Sequence, residues 1–269
     1  MSATDLDLTT DLTFALEFAD AADTITRDRF RAADLAVSLK PDRTHVTDAD
    51  QAVEQAIRAR LESARPGDSI YGEEFGTVGD SRRQWIIDPI DGTANFLRGV
   101  PVWSTLIALA VDGSPVLGVV SMPALGRRWW AATGRGAFTR DLDGGERRIR
   151  VSDVGDLQHA SVALSGIDRF EQAGRLGQYL DLSRRAWRTR DYSDALPYMF
   201  LAEGVVDVAG EFDLQPYDMA ALFPIVEEAG GRLTSFDGEV GPWHGSALAT
   251  NGKLHPTLIE LFTPEQESP

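Results

Sequence analysis

Apolar side chains recur at helical intervals near the start of the chain. Leu12, Ala15, Ala19, Ala22 and Ile25 share one face between Leu6 and Phe30, with Asp, Glu and Arg on the other positions, which predicts an amphipathic helix. Residues 31–46 read as a strand and turn ending in Lys40-Pro41-Asp42. Thr47 or Asp48 then caps a second helix with Val53, Ile57 and Leu61 on its buried face, stopping before Pro66-Gly67. At Trp85-Ile86-Ile87 the period disappears into a continuous apolar run of strand type. Pro89 has no N–H for a ladder, so this strand is expected to end there, and Gly92 opens what reads as a helix start. Two further runs, Thr105 to Val111 and Val116 to Ser121, meet at Asp112-Gly113-Ser114-Pro115, a hairpin signal. Trp129, Trp130 and Phe138 flank Gly134-Arg135-Gly136 as another strand pair, and the tryptophans read as sheet packing, not as a platform for bases.

Ser152-Asp153-Val154-Gly155-Asp156 is a polar, turn-forming junction, after which strands and helices alternate. Short strands are expected at Ser161–Leu164 and Ala186–Thr189 with a polar helix between them, and a helix from Ser193 to Glu203 ends at Gly204. A strand follows at Val205–Ala209, then a helix from Asp218 to Ala229 closed by Gly230-Gly231. Strands at Arg232–Ser235 and Ala247–Thr250 and a helix from Pro256 complete the pattern. The expected division is an N-terminal α+β part at 1–152, a C-terminal α/β part at 153–262 and a frayed tail at 263–269.

Composition narrows the function. The 269 residues carry a formal net charge of −16, which argues against general affinity for nucleic acid or for an anionic membrane surface. A phosphorylated small molecule remains compatible if a metal supplies local positive charge. There is no cysteine for disulfides or thiolate metal sites, and no apolar run nears the roughly 20 residues that span a bilayer. With no basic-then-apolar leader pattern, cytoplasm is the default expectation. The four histidines, His45, His159, His244 and His255, lack zinc-ligand spacing, and Gly-x-Ser-x-Gly is missing.

The chemistry concentrates in Asp88-Pro89-Ile90-Asp91-Gly92-Thr93. Two carboxylates and the Ile90 carbonyl at a strand end are the oxygen donors that a hard cation such as Mg²⁺ takes. Gly92 and Thr93 would offer free N–H groups to an anion at a helix start. Glu73 and Glu74 precede this stretch and Asp218 follows far downstream. Taken alone, Glu73-Glu74 is a solvated acidic turn and Asp218 an ordinary N-cap. The combination changes that reading. Asp88-Pro89-Ile90-Asp91-Gly92-Thr93 resembles the DP(I/L)DGT signature of the inositol monophosphatase family. Gly72-Glu73-Glu74, Tyr217-Asp218-Met219-Ala220-Ala221 and Glu228-Ala229-Gly230-Gly231 follow in the family's order, so the resemblance covers nearly the whole chain.

The resemblance implies an α+β fold, a layered αβαβα sandwich with an antiparallel N-terminal sheet and a mixed C-terminal sheet. It implies Mg²⁺, two ions with a third site, held by Glu73, Asp88, the Ile90 carbonyl, Asp91 and Asp218. Asp48, otherwise an N-cap, is the candidate for the additional metal. Phosphate would meet Asp91, Gly92 and Thr93, and a metal-activated water would pass its proton to Glu73 and Thr93. A homodimer is implied as well. Arg190-Asp191-Tyr192-Ser193-Asp194, followed by Tyr198, resembles the Arg-x-Tyr-Gly-Asp segment of the histidinol-phosphate phosphatase branch. The expected reaction is therefore hydrolysis of L-histidinol phosphate, with Arg190, Asp194, Glu211 and Asp218 on the substrate side. Arg190 and Asp194 read equally as surface ion pairs. Inositol-1-phosphate is the alternative substrate, and a non-catalytic regulatory role is the rival of a different class. Ala94, Ser193 and Tyr217 depart from the family pattern, Ser193 on the substrate side.

Overall fold

The structure is a computed structural model describing residues 8–40 and 45–263. Leu6, Pro41-Asp42 and residues 264–269 of the expected tail lie outside the described residues. Two sheets and the helices around them make five layers, the αβαβα arrangement expected.

Helices α1 (Leu8–Arg29) and α2 (Asp48–Ala64) form the first layer, packing Ala15, Phe18, Ala19, Ala22, Val53 and Ile57 onto the first sheet. Between them, β1 (Val37–Leu39) and β2 (His45–Thr47) make a small ribbon. Thr47 is the N-cap of α2. Its hydroxyl accepts from Ala49 N and Asp50 N at 3.2 and 3.4 Å, and Asp50 reaches back to Thr47 N at 2.8 Å in a capping box.

The second layer is an eight-stranded sheet of β3 (Ser69–Gly72), β4 (Gly76–Val78), β5 (Arg83–Asp91), β6 (Ser104–Val111), β7 (Ser114–Met122), β8 (Arg127–Ala132), β9 (Gly136–Arg140) and β10 (Glu146–Arg148). Their order is β10-β9-β8-β7-β6-β5-β3-β4. Every neighbouring pair is antiparallel except β3 and β5, whose parallel pairing brings their carboxyl ends side by side. The β6–β7 hairpin turns on Asp112 (φ 50°) and Gly113 (φ 78°), two left-handed residues as a type I′ turn requires. Trp85, Trp103 and Trp129 are fully buried, each contributing roughly 2–3 kcal/mol of apolar burial.

The strand expected to stop at Pro89 instead continues to Asp91. Asp88 pairs with Leu106 and Asp91 with Ser104, so Pro89 and Ile90 together oppose the single residue Thr105. This bulge asks no N–H of Pro89, whose carbonyl accepts from Thr105 Oγ1 at 2.8 Å.

Helix α3 (Thr93–Arg98) leads from β5 to β6. The middle layer holds α6 (Leu196–Ala202), α7 (Pro216–Met219) and α8 (Leu222–Glu228), whose apolar faces join both sheets in one core. The fourth layer is a mixed sheet ordered β12-β11-β13-β15-β14, from β11 (Ser161–Leu164), β12 (Arg188–Thr189), β13 (Val208–Phe212), β14 (Arg232–Thr234) and β15 (Ser246–Thr250). Helices α4 (Ile167–Gln172), α5 (Leu176–Arg185) and α9 (His255–Phe262) cover its far face, around Phe170, Phe236 and Phe262.

Three expected elements in this half are displaced. The helix expected from Ser193 begins at Leu196, because Ser193 and Asp194 take left-handed backbone (φ 71° and 48°). The strand expected at Val205–Ala209 runs from Val208 to Phe212, because Val205 N and Val206 N turn back to Phe200 O and the ladder begins at Val208. The helix expected from Asp218 to Ala229 is two helices. Pro224 has no N–H for the Ala220 carbonyl, so one continuous ladder cannot form.

Candidate active site

The parallel pairing of β3 and β5 builds the site. Glu73, one residue past β3, donates its N–H to Ile87 O at 3.1 Å, and the next residue on β5 is Asp88. Glu54 fixes the Glu73 loop from below. Its fully buried carboxylate accepts from Glu74 N at 2.7 Å and Phe75 N at 3.2 Å, and pairs with Arg58 at 2.7 Å. Gly72 is required beneath it: a Cβ there would stand 1.9 Å from Glu54 Oε1.

A cleft of about 740 Å³ opens between the layers, walled by Glu73, Asp91, Gly92, Thr93, Asp194, Tyr198, Glu211 and Asp218. Asp91 Oδ2 accepts from Ser104 Oγ at 2.9 Å and from Ala195 N at 3.0 Å, which ties β5 to the start of α6. Asp218 is the third residue of α7, after the N-cap Gln215, and its Oδ2 accepts from Gln215 N at 2.7 Å. Gly92 is left-handed (φ 83°), and a Cβ on it would lie 2.8 Å from Asp194 Oδ2. Asp194 is itself held by Asn95 Nδ2 at 2.7 Å and Ser193 Oγ at 2.6 Å.

Burial and mutual repulsion govern the electrostatics. Burial first, then the charges of Glu73, Asp91 and Asp218, hold the Asp88 carboxyl well above the carboxylate range, and its Oδ1 has no hydrogen-bond partner among the described residues. Asp91 is raised in the same direction by burial and by Asp194 and Asp218. Burial with the charge of Glu73 lifts Asp218 to about 7, and burial with Asp194 and Asp218 lifts Glu211 to about 8. Such a cluster invites cations. Lys40 answers part of that demand, its ammonium lying 2.7 Å from both Glu73 and Glu74. Among the described residues no three His, Asp or Glu side chains are posed as a finished metal cage, since several of these oxygens are held by Lys40, Ser104, Ala195 N and Gln215 N. The donor set nevertheless fits a hard divalent ion: carboxylate oxygens only, one of them buried and unpartnered.

Not every expected residue joins this cluster. Asp48 stands at the first turn of α2, 2.7 Å from Arg29 and off the cleft wall. Arg190 is exposed and donates to Thr189 O at 2.6 Å, also off the wall. The cationic side chains that line the cleft are Lys40 and Arg169, the latter ion-paired to Asp213. Sequence reasoning passed over three residues. Asp50 is fully buried and places Oδ1 3.5 Å from Thr93 Oγ1, its carboxyl raised by burial to about 6. The signal was the Thr47-x-x-Asp50 capping-box spacing, which makes Asp50, not Asp48, the inward carboxylate. Lys40 and Arg169 carried no signal of their own, because the loops that bring them to the cleft are set by tertiary packing.

Fold and site together define a class of phosphomonoesterase. The inositol monophosphatase family model matches residues 7–267, and the chain belongs to that family. Within it, the chain is 54% identical to the histidinol-phosphatase of Streptomyces coelicolor, over 93% of this chain and 95% of that protein. It is 53% identical to the histidinol-phosphatase of Mycobacterium tuberculosis, over 93% of this chain and 96% of that one. Among solved structures it is similar to the extragenic suppressor protein SuhB of Bartonella henselae, with a TM-score of 0.86 at 30% identity, covering 96% of this chain and 100% of that chain. No helix among the described residues is long and apolar enough to cross a membrane.

Proposed function

We propose that the protein hydrolyses L-histidinol phosphate to L-histidinol and phosphate with Mg²⁺ as cofactor. The observation that carries this reading is the acidic cleft: carboxylates of the first sheet and α7 bear on Asp88, and Asp194 and Glu211 line the same cleft. We assign the first group to metal and phosphate and the second to an alcohol carrying an ammonium and an imidazole.

Glu73, Asp88, Asp91, Asp218 and the Ile90 carbonyl would hold the ions. Bound Mg²⁺ supplies positive charge to the phosphoryl oxygens and lowers the pKa of water. Thr93 Oγ1 donates to Ile90 O at 3.0 Å and lies 3.5 Å from Asp50 Oδ1, so a proton reaching Thr93 can pass to a carboxylate raised to about 6. This refines the expected Glu73–Thr93 pair by giving Thr93 a buried acceptor behind it. Asp91, locked by Ser104 and Ala195 N, fixes the phosphate end relative to the alcohol end. Asp194 and Glu211 present carboxyl groups to the cationic alcohol; burial raises Glu211 to about 8, so it ionises as the ammonium approaches, and Arg169, ion-paired to Asp213, favours that ionisation. In this reading Arg190 and Asp48 are supporting surface residues, and two chains form the homodimer that the family resemblance implies.

Phosphate release from L-histidinol phosphate and from inositol-1-phosphate, each with and without Mg²⁺, tests the proposal. The expected result is Mg²⁺-dependent release with kcat/KM at least tenfold higher for L-histidinol phosphate. A tenfold preference for inositol-1-phosphate overturns the substrate, and release without any divalent ion overturns the cofactor.

A further inference from the structure

Tyr198 is an unexplained polar group in the wall of the cleft. It lies on α6, 2% exposed, and lines the cavity beside Asp194, Glu211 and Leu222. Its hydroxyl is buried and has no hydrogen-bond partner among the described residues. The Tyr192 hydroxyl nearby is met by Arg188 at 3.3 Å, so the segment can satisfy a phenol where it needs one. A buried hydroxyl without a partner is costly, and phenylalanine would fill the same space without that cost. The hydroxyl therefore offers an unmet hydrogen bond to a group that enters the cleft.

The surroundings say which end of a substrate it meets. The charges that bear on Tyr198 are those of Glu211, Asp91 and Asp218, all negative, and burial acts in the same direction, so the group stays a neutral phenol with a proton to donate. Burial acts on Tyr198 first, then Glu211, and after it Asp91 and Asp218, so its hydroxyl lies in the cleft between the residues assigned above to the alcohol and those assigned to phosphate. A carboxylate paired with the substrate's ammonium is ionised and cannot also donate to a neutral nitrogen. The Tyr198 hydroxyl can.

We propose that Tyr198 is a specificity-determining residue, its hydroxyl donating a hydrogen bond to a neutral acceptor atom on the alcohol portion of the substrate, such as the unprotonated imidazole nitrogen of L-histidinol phosphate. The inference rests on the substrate class proposed above. It distinguishes phosphomonoesters with a polar acceptor on the alcohol from those without one.

The test is Tyr198→Phe in the Mg²⁺-supplied protein, assayed with L-histidinol phosphate, inositol-1-phosphate and phenyl phosphate. A second arm measures inhibition by L-histidinol alone and the metal-free melting temperature. For L-histidinol phosphate, KM is expected to rise about tenfold with kcat within twofold, the loss of one hydrogen bond to a buried group. The inhibition constant of L-histidinol should rise by a similar factor, kcat/KM for phenyl phosphate should hold within twofold, and the melting temperature should stay level or rise. Equal losses on all substrates, or an unchanged KM and inhibition constant for the histidinol compounds, overturn the inference. If the wild type instead prefers inositol-1-phosphate, the substrate proposal fails by itself. The role of Tyr198 is then decided by whether KM for that polar alcohol rises while phenyl phosphate is unaffected.

Discussion

Glu54 never touches the cleft, yet the structure makes it the support of Glu73. In Glu54→Ala three attachments vanish at once: the hydrogen bonds to Glu74 N (2.7 Å) and Phe75 N (3.2 Å) and the ion pair to Arg58 (2.7 Å). Arg58, whose side chain is 12% exposed, would keep a largely desolvated charge with its main partner gone. Each orphaned buried donor costs roughly 1–3 kcal/mol, and breaking a buried pair from one side roughly 3–5 kcal/mol. The pair is near the surface on its Arg58 side, so its lower end applies, and the two loop donors regain water as the loop relaxes, which leaves about 3 kcal/mol in total. For a chain of this size that corresponds to a fall in melting temperature of roughly 6–12 °C. Function should suffer beyond stability. A loosened Glu73 is expected to raise the Mg²⁺ concentration for half-maximal activity by about tenfold or more, the range seen when groups that orient metal ligands are removed. The assay is thermal unfolding with and without Mg²⁺, alongside phosphate release against Mg²⁺ concentration at a temperature where the variant is folded. A melting temperature within about 2 °C of wild type together with an unchanged Mg²⁺ requirement would refute the reasoning that this buried carboxylate sets the position of Glu73.

Other expectations follow from the same geometry. Asp91→Asn removes one charge from the cluster while keeping an oxygen for Ser104 and Ala195 N; kcat is expected to fall roughly a thousandfold or more. The metal-free protein should melt no lower than wild type, and a fall in kcat below tenfold would count against Asp91. Thr93→Ala and Asp50→Asn should each lower kcat by about a hundredfold, and the double variant by no more than the larger single effect, because they act as one unit. Multiplicative losses would separate them. Stability of the metal-free protein should fall as pH rises. Asp50, Asp218, Glu74 and Glu211 are raised by burial to about 6, 7, 7 and 8. The folded state therefore binds more protons than the unfolded chain between the ordinary carboxyl range and about pH 8. Their protonated forms favour the fold below that window, and the benefit is lost as pH climbs through it. Melting curves at pH 5, 6, 7 and 8 without divalent ions check the sign, and a melting temperature rising across that series would contradict it.

The layered fold was legible through the family resemblance, carried by Asp88-Pro89-Ile90-Asp91-Gly92-Thr93 and the motifs that follow it in order. Glu73, Asp91 and Asp218, far apart in the chain, do meet on one cleft. What escaped was decided by tertiary packing. Pro89 reads as a strand terminus, but a bulge against Thr105 lets the ladder resume at Asp91. Asp48 and Asp50 are two residues apart, and only the capping box turns one of them inward. Arg190 sits in a segment that resembles a substrate motif. The left-handed Ser193 and Asp194 aim Asp194 at Asn95 while Arg190 remains outside, and the positive charge at the cleft comes from Lys40 and from Arg169 on α4. The break within the helix expected from Asp218 was foreseeable from Pro224. Its consequence, a separate short α7 that points Asp218 back at Gln215 N, was not.

The central claim is that the buried carboxyls of β5 and α7 hold protons that divalent ions displace. Titration calorimetry of Mg²⁺ into the protein at pH 7, repeated in buffers of different ionisation enthalpy, measures the protons exchanged on binding. The structure predicts net release of protons to the buffer, about one per protein or more, and loss of that release in Asp91→Asn. Mg²⁺ binding of equal strength in both proteins, with no proton release in either, would contradict it.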